Sequence, residues 1–356
     1  MPNLDWLRER AVSHSLFRPT TLKAAIARLG FVQADPIRSP ARAQDLILRH
    51  RVEGYREGDL DRSYASLEIE EDRFYTYGFL PREIAALLYP RKAKRLAKLE
   101  HRVLEVVREC GPTHPSALEA VFGGARVINA WGGYSKATKR ALERLHHHGL
   151  LRIARREKGI RVYEVAPTPV DPLPHGARFE KLVLVAANVL APVVETTLYA
   201  IASHLRRFAP GVTNHRPILR ALLRTGQLES AAVDGVRYLW PAFAHVPEPP
   251  PQGVRCLAPF DPVVWDRRRF QHLWQWPYRF EAYTPQAKRL RGYYAMPLLW
   301  RDQVIGWANA TVVAKKLSVE FGFVERRPRD RQFRREADAE IARLEAFLDD
   351  KRASQN

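Results

Sequence analysis

The segment 91–166 restricts the possible fold more than any other part of the sequence. Three runs with a helical spacing of apolar residues are followed by two β-like runs around a Glu-Lys-Gly turn. This order of helix, helix, helix and hairpin is typical of a winged-helix domain. The predicted elements are the helices Arg91–Glu109, Pro115–Phe122 and Ser135–His148, with Ser135 as N-cap, and the strands Leu150–Arg155 and Ile160–Val165.

The third predicted helix of this segment has a basic face. Lys136, Lys139 and Arg140 are spaced i, i+3, i+4, which places them together away from the apolar stripe of the helix. A recognition helix meets DNA phosphates with such a face, but an ordinary solvated helix has the same pattern, so the helix alone does not decide. Five further cations in the adjoining hairpin favour nucleic acid. They are Arg152, Arg155, Arg156, Lys158 and Arg161.

Two other parts of the chain repeat this pattern without repeating its sequence. Residues 178–246 are interpreted as three helices and a hairpin over Asp234-Gly235, and residues 4–52 as helices around an extended segment. The predicted helices are 4–14, 20–29, Ala41–Arg51, Phe179–Val189, Glu195–Phe208 and Asn214–Thr225, and the predicted strands of the hairpin are Leu228–Val233 and Val236–Trp240.

Beyond a proline-rich linker at 246–252 the chain becomes aromatic and strand-like. We therefore predict an α+β fold of tandem winged-helix (helix-turn-helix) domains followed by a β-rich C-terminal domain with a closing helix. The predicted domains are 1–90, 91–170, 171–246 and 253–356. In the last of them the predicted strands are Phe280–Tyr283, Tyr293–Leu299, Val304–Val313 and Leu317–Val324, and the closing helix is Arg335–Leu348.

Charge and cysteine content narrow the class of protein. Lysine and arginine outnumber aspartate and glutamate by 58 to 39, giving a net charge of +19, and 46% of the residues are hydrophobic. The apolar share predicts a packed globular protein, and the positive excess is typical of a nucleic-acid binder. Two cysteines exclude a disulfide framework and a cysteine-rich zinc site. Since neither a signal-peptide pattern nor a membrane-spanning run occurs, we expect a cytoplasmic protein without a membrane partner.

An extended segment after the second predicted helix carries a candidate catalytic pair. Gln33 and Asp35 are two residues apart, so in a strand their side chains share one face. Such an amide and carboxylate can hold and polarise one water molecule, and Arg38 and Arg42 follow closely as candidate contacts to an anion. The ordinary alternative is that both side chains cap a helix or bond to the backbone of the adjacent proline turn.

Two basic clusters in the C-terminal part lie among aromatic residues. Arginines next to exposed rings suit contact with a nucleic-acid backbone combined with stacking on an unpaired base. The alternative is that the rings belong to the core of a half-buried sheet, which we favour for most of the rings but not for the arginines. The clusters are Arg267, Arg268 and Arg269, and Lys288, Arg289 and Arg291.

Four stretches, distributed over nearly the whole sequence, form a recognisable set. They are Val32-Gln-Ala-Asp35, Trp131-Gly-Gly-Tyr-Ser-Lys-Ala-Thr-Lys-Arg-Ala-Leu-Glu143, Leu257-Ala-Pro-Phe-Asp-Pro-Val-Val-Trp-Asp-Arg-Arg268 and Lys288-Arg-Leu-Arg-Gly-Tyr-Tyr294. In this order they resemble the winged-helix crosslink-repair DNA glycosylases of the YcaQ and AlkZ type.

The resemblance implies tandem winged helices around a DNA channel and excision of N7-alkylated purines, some of them from interstrand crosslinks. It also implies that Gln33 and Asp35 are the catalytic Gln-x-Asp pair. The chemistry suits them, because a cationic N7-alkylated base leaves without much acid catalysis while a carboxylate stabilises the positive charge that grows on the sugar. We expect no metal or organic cofactor, and a monofunctional hydrolase rather than a lyase, because the motif contains no lysine.

One segment departs from the family pattern, and other functions stay open. The family has a histidine-bearing aromatic segment after the Gln-x-Asp region, whereas Glu70–Pro81 has aromatic residues and no histidine, which leaves the lesion and the retention of activity undecided. A non-enzymatic winged-helix regulator or repair accessory protein is the main alternative, and a structured-RNA binder is a further one. For the glycosylase we expect a monomer that acts on damaged double-stranded DNA.

Overall fold

The computed structural model describes residues 2–91, 95–128, 133–167, 173–244, 249, 252–314 and 316–349. Helices and antiparallel sheets both occur along the chain, so the predicted α+β class is confirmed. Within these ranges no helix is both long and apolar enough to cross a bilayer. Most of the predicted linker at 246–252, and Trp131 with Gly132 of the second sequence motif, lie outside the described residues.

The N-terminal elements begin and end where the local sequence provides caps. The Asn3 side chain accepts a hydrogen bond from the Trp6 N–H at the start of the first helix, and Gly30 ends the second helix with a φ of 74°. The predicted extended segment is a strand over two residues only, and the predicted helix over Ala41–Arg51 is shorter than expected. The elements are α1 (Leu4–Ser15), α2 (Leu22–Leu29), β1 (Val32–Gln33), α3 (Ala43–Leu48), α4 (Asp59–Ser63), β2 (Ile69–Arg73), β3 (Tyr77–Pro81) and α5 (Arg82–Ala86).

Three helices and a hairpin occur in the predicted order in the central part of the chain. The first helix begins at Lys98, later than expected, because the Glu100 carboxylate accepts the backbone N–H of Ala97 and caps the helix there. Ser135 is not the N-cap of the third helix, since it lies in a short strand and pairs with Val127. The elements are α6 (Lys98–Cys110), α7 (Pro115–Phe122), β4 (Arg126–Ile128), β5 (Tyr134–Lys136), α8 (Ala137–His147), β6 (Leu151–Glu157) and β7 (Ile160–Val165).

The next part again contains helices followed by a hairpin. The hairpin turns over Asp234 and Gly235, which have φ angles of 50° and 77°, the left-handed conformations that a tight two-residue turn requires. This confirms the prediction of the turn and of both strands to within one residue. A two-residue strand joins them in a sheet of order β8-β10-β9. The elements are α9 (His175–Val189), β8 (Val193–Val194), α10 (Glu195–Leu205), α11 (Arg216–Arg224), β9 (Leu228–Val233) and β10 (Val236–Pro241).

The C-terminal part is a four-stranded antiparallel sheet of order β11-β12-β13-β14 with a closing helix. The predicted strand over Phe280–Tyr283 is wrong, because these residues form an irregular turn. The first arginine cluster lies in a helix that the sequence patterns did not indicate, capped by the Asp266 side chain. The elements are β11 (Val254–Cys256), α12 (Pro262–Trp265), α13 (Arg267–Trp274), β12 (Met296–Trp300), β13 (Gln303–Val313), β14 (Lys316–Phe323) and α14 (Arg331–Leu348).

The described residues divide into two compact units. The first unit comprises those of 1–59, 183–203 and 214–356, and the second unit those of 60–182 and 204–213. In the first, α1 packs on α12 and α13 around a buried apolar cluster; in the second, α8 packs on α6, α7 and β6. The division into four domains stays a prediction. Core residues of the first unit include Leu7, Ala11, Val264, Phe270 and Trp274, and those of the second include Val103, Leu104, Leu142, Leu145 and Ile153.

Candidate functional site

Gln33 lies at the end of β1, directly after the buried residues Phe31 and Val32. Its side-chain Oε1 accepts a hydrogen bond of 2.8 Å from the indole N–H of Trp265, the last residue of α12. Because the indole nitrogen can only donate, this bond fixes the orientation of the amide. The group that Gln33 offers to a water or ligand is therefore its amide NH2.

Asp35 is positioned by a turn rather than by a strand. The strand ends at Gln33, and the Asp35 carboxylate accepts a 2.9 Å hydrogen bond from the backbone N–H of Ile37 across the proline between them. The backbone N–H of Asp35 itself points to Oε1 of the buried Gln44 at 3.4 Å. The expectation that strand alternation alone aligns the pair is therefore corrected.

The Asp35 carboxylate is half-buried, and its pKa is shifted. Burial raises this pKa above its ordinary value, and the hydrogen bond from the N–H of Ile37 opposes only part of the effect. Among the contacts of the described residues, no ion pair to Asp35 occurs. A carboxylate that is partly dehydrated and has no cationic partner is a better base than an exposed one.

Two tyrosines lie close to this carboxylate. Burial raises the pKa of Tyr283 and of Tyr294, and the negative charge of Asp35 raises both pKa values further. Tyr283 is 79% exposed, whereas Tyr294 is 2% exposed and its hydroxyl has no hydrogen-bond partner. The ring of Phe280 contacts both, with centroid distances of 6.0 and 5.4 Å. An aromatic surface with one solvent-facing ring therefore adjoins Asp35.

The arginines of the first C-terminal cluster have three different environments. Arg268 is exposed and donates to Oγ1 of Thr196 at 2.7 Å. Arg267 donates to backbone carbonyls and stacks on the ring of Tyr278, 4.5 Å from its centroid. Arg269 is fully buried, and its guanidinium donates to four backbone carbonyls, so its prediction as a DNA contact is wrong. Those carbonyls belong to Leu190, Pro192, Pro262 and Val263.

The second cluster stacks on the protein's own aromatic rings. Arg289 lies 5.0 Å from the ring centroid of Tyr293, and Arg291 lies 5.0 Å from that of Trp276. Lys288 is exposed at the end of a 3-10 turn. The expected interleaving of cations and rings is present within the first unit, although these rings bind the arginines rather than leaving them free.

The remaining predicted DNA contacts are spread over both units. In the first, the exposed Arg38 forms an ion pair with Glu57, and Arg42 is half-buried at the N-cap position of α3. In the second, Lys136, Lys139 and Arg140 are exposed near the start of α8. The pairs Lys136–Glu119 and Arg140–Ile128 carbonyl occupy two of these three cations.

Three residues of the site were not predicted from the sequence. Trp265 lies 232 residues from the amide that it holds, and Tyr283 and Tyr294 are equally remote from Asp35 in the chain. Trp265 and Tyr294 do belong to two of the four recognised stretches, which was the signal available for them, whereas Tyr283 belongs to none. No local pattern links any of them to the Gln-x-Asp segment.

Comparison with known proteins relates the chain to one family. The family described as DNA glycosylase AlkZ-like matches residues 26–347. Among solved structures, the Streptomyces sahachiroi DNA glycosylase AlkZ is similar with a TM-score of 0.58 and 14% sequence identity, over 96% of this chain and 94% of that one. At that identity the structural likeness bears on the fold, whereas the sequence match covers nearly the whole chain. The chain belongs to the AlkZ-like DNA glycosylase family.

Proposed function

We propose that the protein is a monofunctional DNA glycosylase that hydrolyses the N-glycosidic bond of N7-alkylated or crosslinked purines in double-stranded DNA. Membership of the AlkZ-like DNA glycosylase family supports the reaction class. The observation that carries the choice of residues is the half-buried Asp35 carboxylate, whose pKa is raised by burial. A carboxylate with a raised pKa and no cationic partner suits a base or a stabiliser of transient positive charge.

Asp35 acts on the sugar side of the bond. As the bond between C1′ and N9 breaks, its electron pair passes to the alkylated purine, which leaves as a neutral base because its ring already carried a positive charge. Positive charge grows at C1′, and the carboxylate stabilises it. A water oxygen then bonds to C1′ and its proton passes to Asp35, so the products are the free base and an abasic sugar.

Gln33 positions the attacking water. With its Oε1 held by Trp265, its amide NH2 donates to one lone pair of the water oxygen. The second lone pair then faces C1′, and a proton of the water is directed to Asp35. Trp265 is on this proposal a positioning residue, and Trp265→Phe should slow base release without changing the affinity for undamaged duplex.

Tyr283 supplies the contact with a displaced base. Its ring is the exposed member of the aromatic surface beside Asp35. Stacking on such a ring stabilises an unpaired base whichever of the bases it is. Exposed and half-buried cations supply the contacts with phosphates. Those that stay proposed are Arg38, Arg42, Lys136, Lys139, Arg140, Arg267, Arg268, Lys288, Arg289 and Arg291, and Arg267 is the weakest of them because backbone carbonyls already engage it.

The test is base release from duplexes that carry N7-methylguanine or a nitrogen-mustard crosslink. Asp35→Asn, which keeps the shape and removes the charge, should slow single-turnover release by roughly 10²–10⁴-fold. The control is Asp5→Asn, the same change at an exposed carboxylate of α1. Absence of release by the wild-type protein, or an equal rate for Asp35→Asn, would overturn the proposal.

The pH dependence gives a second readout of the same assignment. The reaction needs Asp35 in its charged form, so the rate should fall as the pH drops through the pKa of this group. Because burial raises that pKa, the fall should begin at a higher pH than for an exposed aspartate. If the rate of base release by an active protein does not fall at acidic pH, Asp35 is not the catalytic carboxylate.

A further inference from the structure

A cluster of guanidinium groups in the second unit includes none of the candidate site residues considered so far. Arg207 is the middle residue of the helical turn Arg206–Phe208, and two of its nitrogens, Nε and Nη2, are buried without a hydrogen-bond partner. Its guanidinium lies 5.2 Å from the ring centroid of Phe208, and that of Arg91 lies 5.0 Å from the same centroid. One buried phenyl ring therefore holds two guanidinium groups close to it.

The charges around Arg207 are unbalanced. Burial, together with the positive charges of Arg73 and Arg91, lowers the pKa of Arg207 to about 10, against a smaller opposing effect of Asp72. Asp72 is the one carboxylate of the described residues that acts on Arg207, and it is already engaged, since it accepts from Arg91 at 2.7 Å and from the hydroxyl of Tyr89. Three guanidinium groups thus share one carboxylate, and that carboxylate faces Arg91 rather than Arg207.

Two histidines complete the cluster without adding a negative charge. The pKa of His147 is lowered to about 4 by burial and by Arg91, and the pKa of His204 is lowered by burial and by Arg207. Both imidazoles are therefore neutral at pH 7, and each keeps one ring nitrogen that can donate. Arg73 is exposed, so the cluster is open to solvent on its side.

We propose that Arg207, Arg91 and Arg73 form a binding site for a phosphoryl oxyanion, filled by a phosphodiester of the DNA backbone. Two buried guanidinium nitrogens without partners are unfavourable, and a phosphate accepts two parallel hydrogen bonds from the planar fork of an arginine. The positive excess at the site selects an anion, and the exposed Arg73 provides the approach. The choice of DNA as the source of the phosphate rests on the proposed function, whereas the oxyanion site itself does not.

The test measures binding of an undamaged duplex by fluorescence anisotropy over a series of salt concentrations. Arg207→Met removes the fork and should reduce the slope of log K against log salt concentration by about 1, the contribution of one phosphate contact. Arg206→Met is the matched control, with the same charge change at the preceding residue, whose guanidinium donates to the Thr213 carbonyl. Because Arg206 is not part of the proposed site, Arg206→Met should leave the slope close to that of the wild type.

A second arm separates the two sources of phosphate. Thermal unfolding is compared in inorganic phosphate and in chloride at equal ionic strength, for the wild type, Arg207→Met and Arg207→Lys. A lower salt slope supports the DNA phosphodiester. An unchanged slope, with phosphate raising the unfolding temperature of the wild type and not of Arg207→Met, keeps the oxyanion site and overturns DNA as its ligand. If Arg207→Met changes neither the salt slope nor the effect of phosphate on the unfolding temperature, the proposed site is wrong.

Failure of this site and failure of the glycosylase are distinguishable. A wild-type protein that releases no base, but whose duplex binding loses a salt slope of about 1 on Arg207→Met, keeps the site and loses the enzyme. Normal base release, together with an Arg207→Met protein identical to the wild type in both binding arms, keeps the enzyme and loses the site. Arg207→Lys retains the positive charge and loses the planar fork. A difference between this variant and the wild type therefore measures the contribution of the fork rather than of the charge.

Discussion

Guanidinium nitrogens are buried in both units, but they differ in whether they have hydrogen-bond partners. In the first unit, Arg51 is fully buried and its two terminal nitrogens bind the two carboxylate oxygens of the equally buried Asp261, at 2.8 and 2.9 Å. In the second unit, two buried nitrogens of Arg207 have no partner. The first arrangement is complete and holds the fold together, whereas the second has donors to spare for a ligand. The presence of partners, and not the number of arginines, thus separates structural from ligand-binding arginines.

Arg269 shows how far this distinction departs from sequence appearance. It belongs to a run of three arginines, yet it is buried and donates to carbonyls that include those of Leu190 and Pro192. Arg207, by contrast, stands in no obvious basic cluster beyond its neighbour Arg206. Stability measurements can test this distinction, because substitution by methionine should lower the free energy of unfolding at a paired arginine and raise it at an unpaired one.

The largest effect is expected at the complete pair. Arg51→Met leaves the Asp261 carboxylate buried and unpaired, and should lower the free energy of unfolding by about 3–5 kcal/mol. Urea unfolding at pH 7 measures the loss. The double variant Arg51→Met with Asp261→Asn removes the stranded charge and keeps an oxygen for the N–H of Val263, so it should be more stable than Arg51→Met alone. A single variant as stable as the wild type would contradict the structural role.

Glu71 tests a complete pairing within the second unit itself. Burial alone would raise its pKa, but the charges of Arg161 and Arg156 outweigh burial, and the resulting pKa lies below the ordinary 4.5. The charged form is therefore favoured by folding, and its stabilisation is present above pH 4.5 and is lost as the pH falls through the lowered pKa. Glu71→Gln should lower the free energy of unfolding by about 3 kcal/mol at neutral pH, since it leaves two guanidinium groups short of a partner.

The matched control for this substitution is Glu157→Gln. Its partner Arg155 and Glu157 itself are both exposed, so the loss should stay below about 1 kcal/mol. The wild type and Glu71→Gln should also converge in stability in acid, below the lowered pKa of Glu71. Urea unfolding from pH 7 to pH 3 follows both effects. A constant difference over that range would mean that Glu71 does not act through its charge.

Short-range signals predicted the local elements well. The Asp234-Gly235 turn fixed its hairpin, and the proline and glycines around Pro115–Phe122 fixed a helix, because caps and turns depend on neighbouring residues. The strand expected at Phe280–Tyr283 was wrong, since Phe280 packs on the rings of Tyr283 and Tyr294 in an irregular turn without strand pairing. Local patterns also gave no sign of α13, whose start depends on one capping carboxylate.

The candidate site was predicted only at its Gln-x-Asp segment. That segment was indicated by the residue types and spacing of Gln33 and Asp35 and then by a family resemblance, whereas the contacts that orient it depend on folding over long separations, such as Gln33 with Trp265. The same holds for Arg207, whose electrostatic neighbours Arg73 and Arg91 precede it by more than a hundred residues. Residue type can indicate what a side chain is able to do, but its partners decide whether it does so.

A smaller effect of opposite sign is expected at the incomplete cluster. Arg207→Met removes buried donors that lack acceptors, so in the absence of DNA and phosphate the free energy of unfolding should rise by about 1 kcal/mol. Urea unfolding in chloride buffer measures it, with Arg206→Met as control. A loss of about 2 kcal/mol or more, the amount typical of a buried donor that was satisfied, would place Arg207 with Arg51 among the arginines that hold the fold.

The smallest effect is expected at the exposed end of the comparison. Arg38 is paired with Glu57, but its side chain is 61% exposed, so water and salt compete with the pair. Arg38→Met should change the free energy of unfolding by about 0.5 kcal/mol or less. If Arg38 contacts a phosphate, the same variant should still reduce the salt slope of duplex binding by about 1. A change in binding without a change in stability would show that an exposed ion pair can open for a ligand. An unchanged salt slope would instead leave Arg38 as a surface ion pair. The phosphate contacts would then be limited to arginines without strong internal partners.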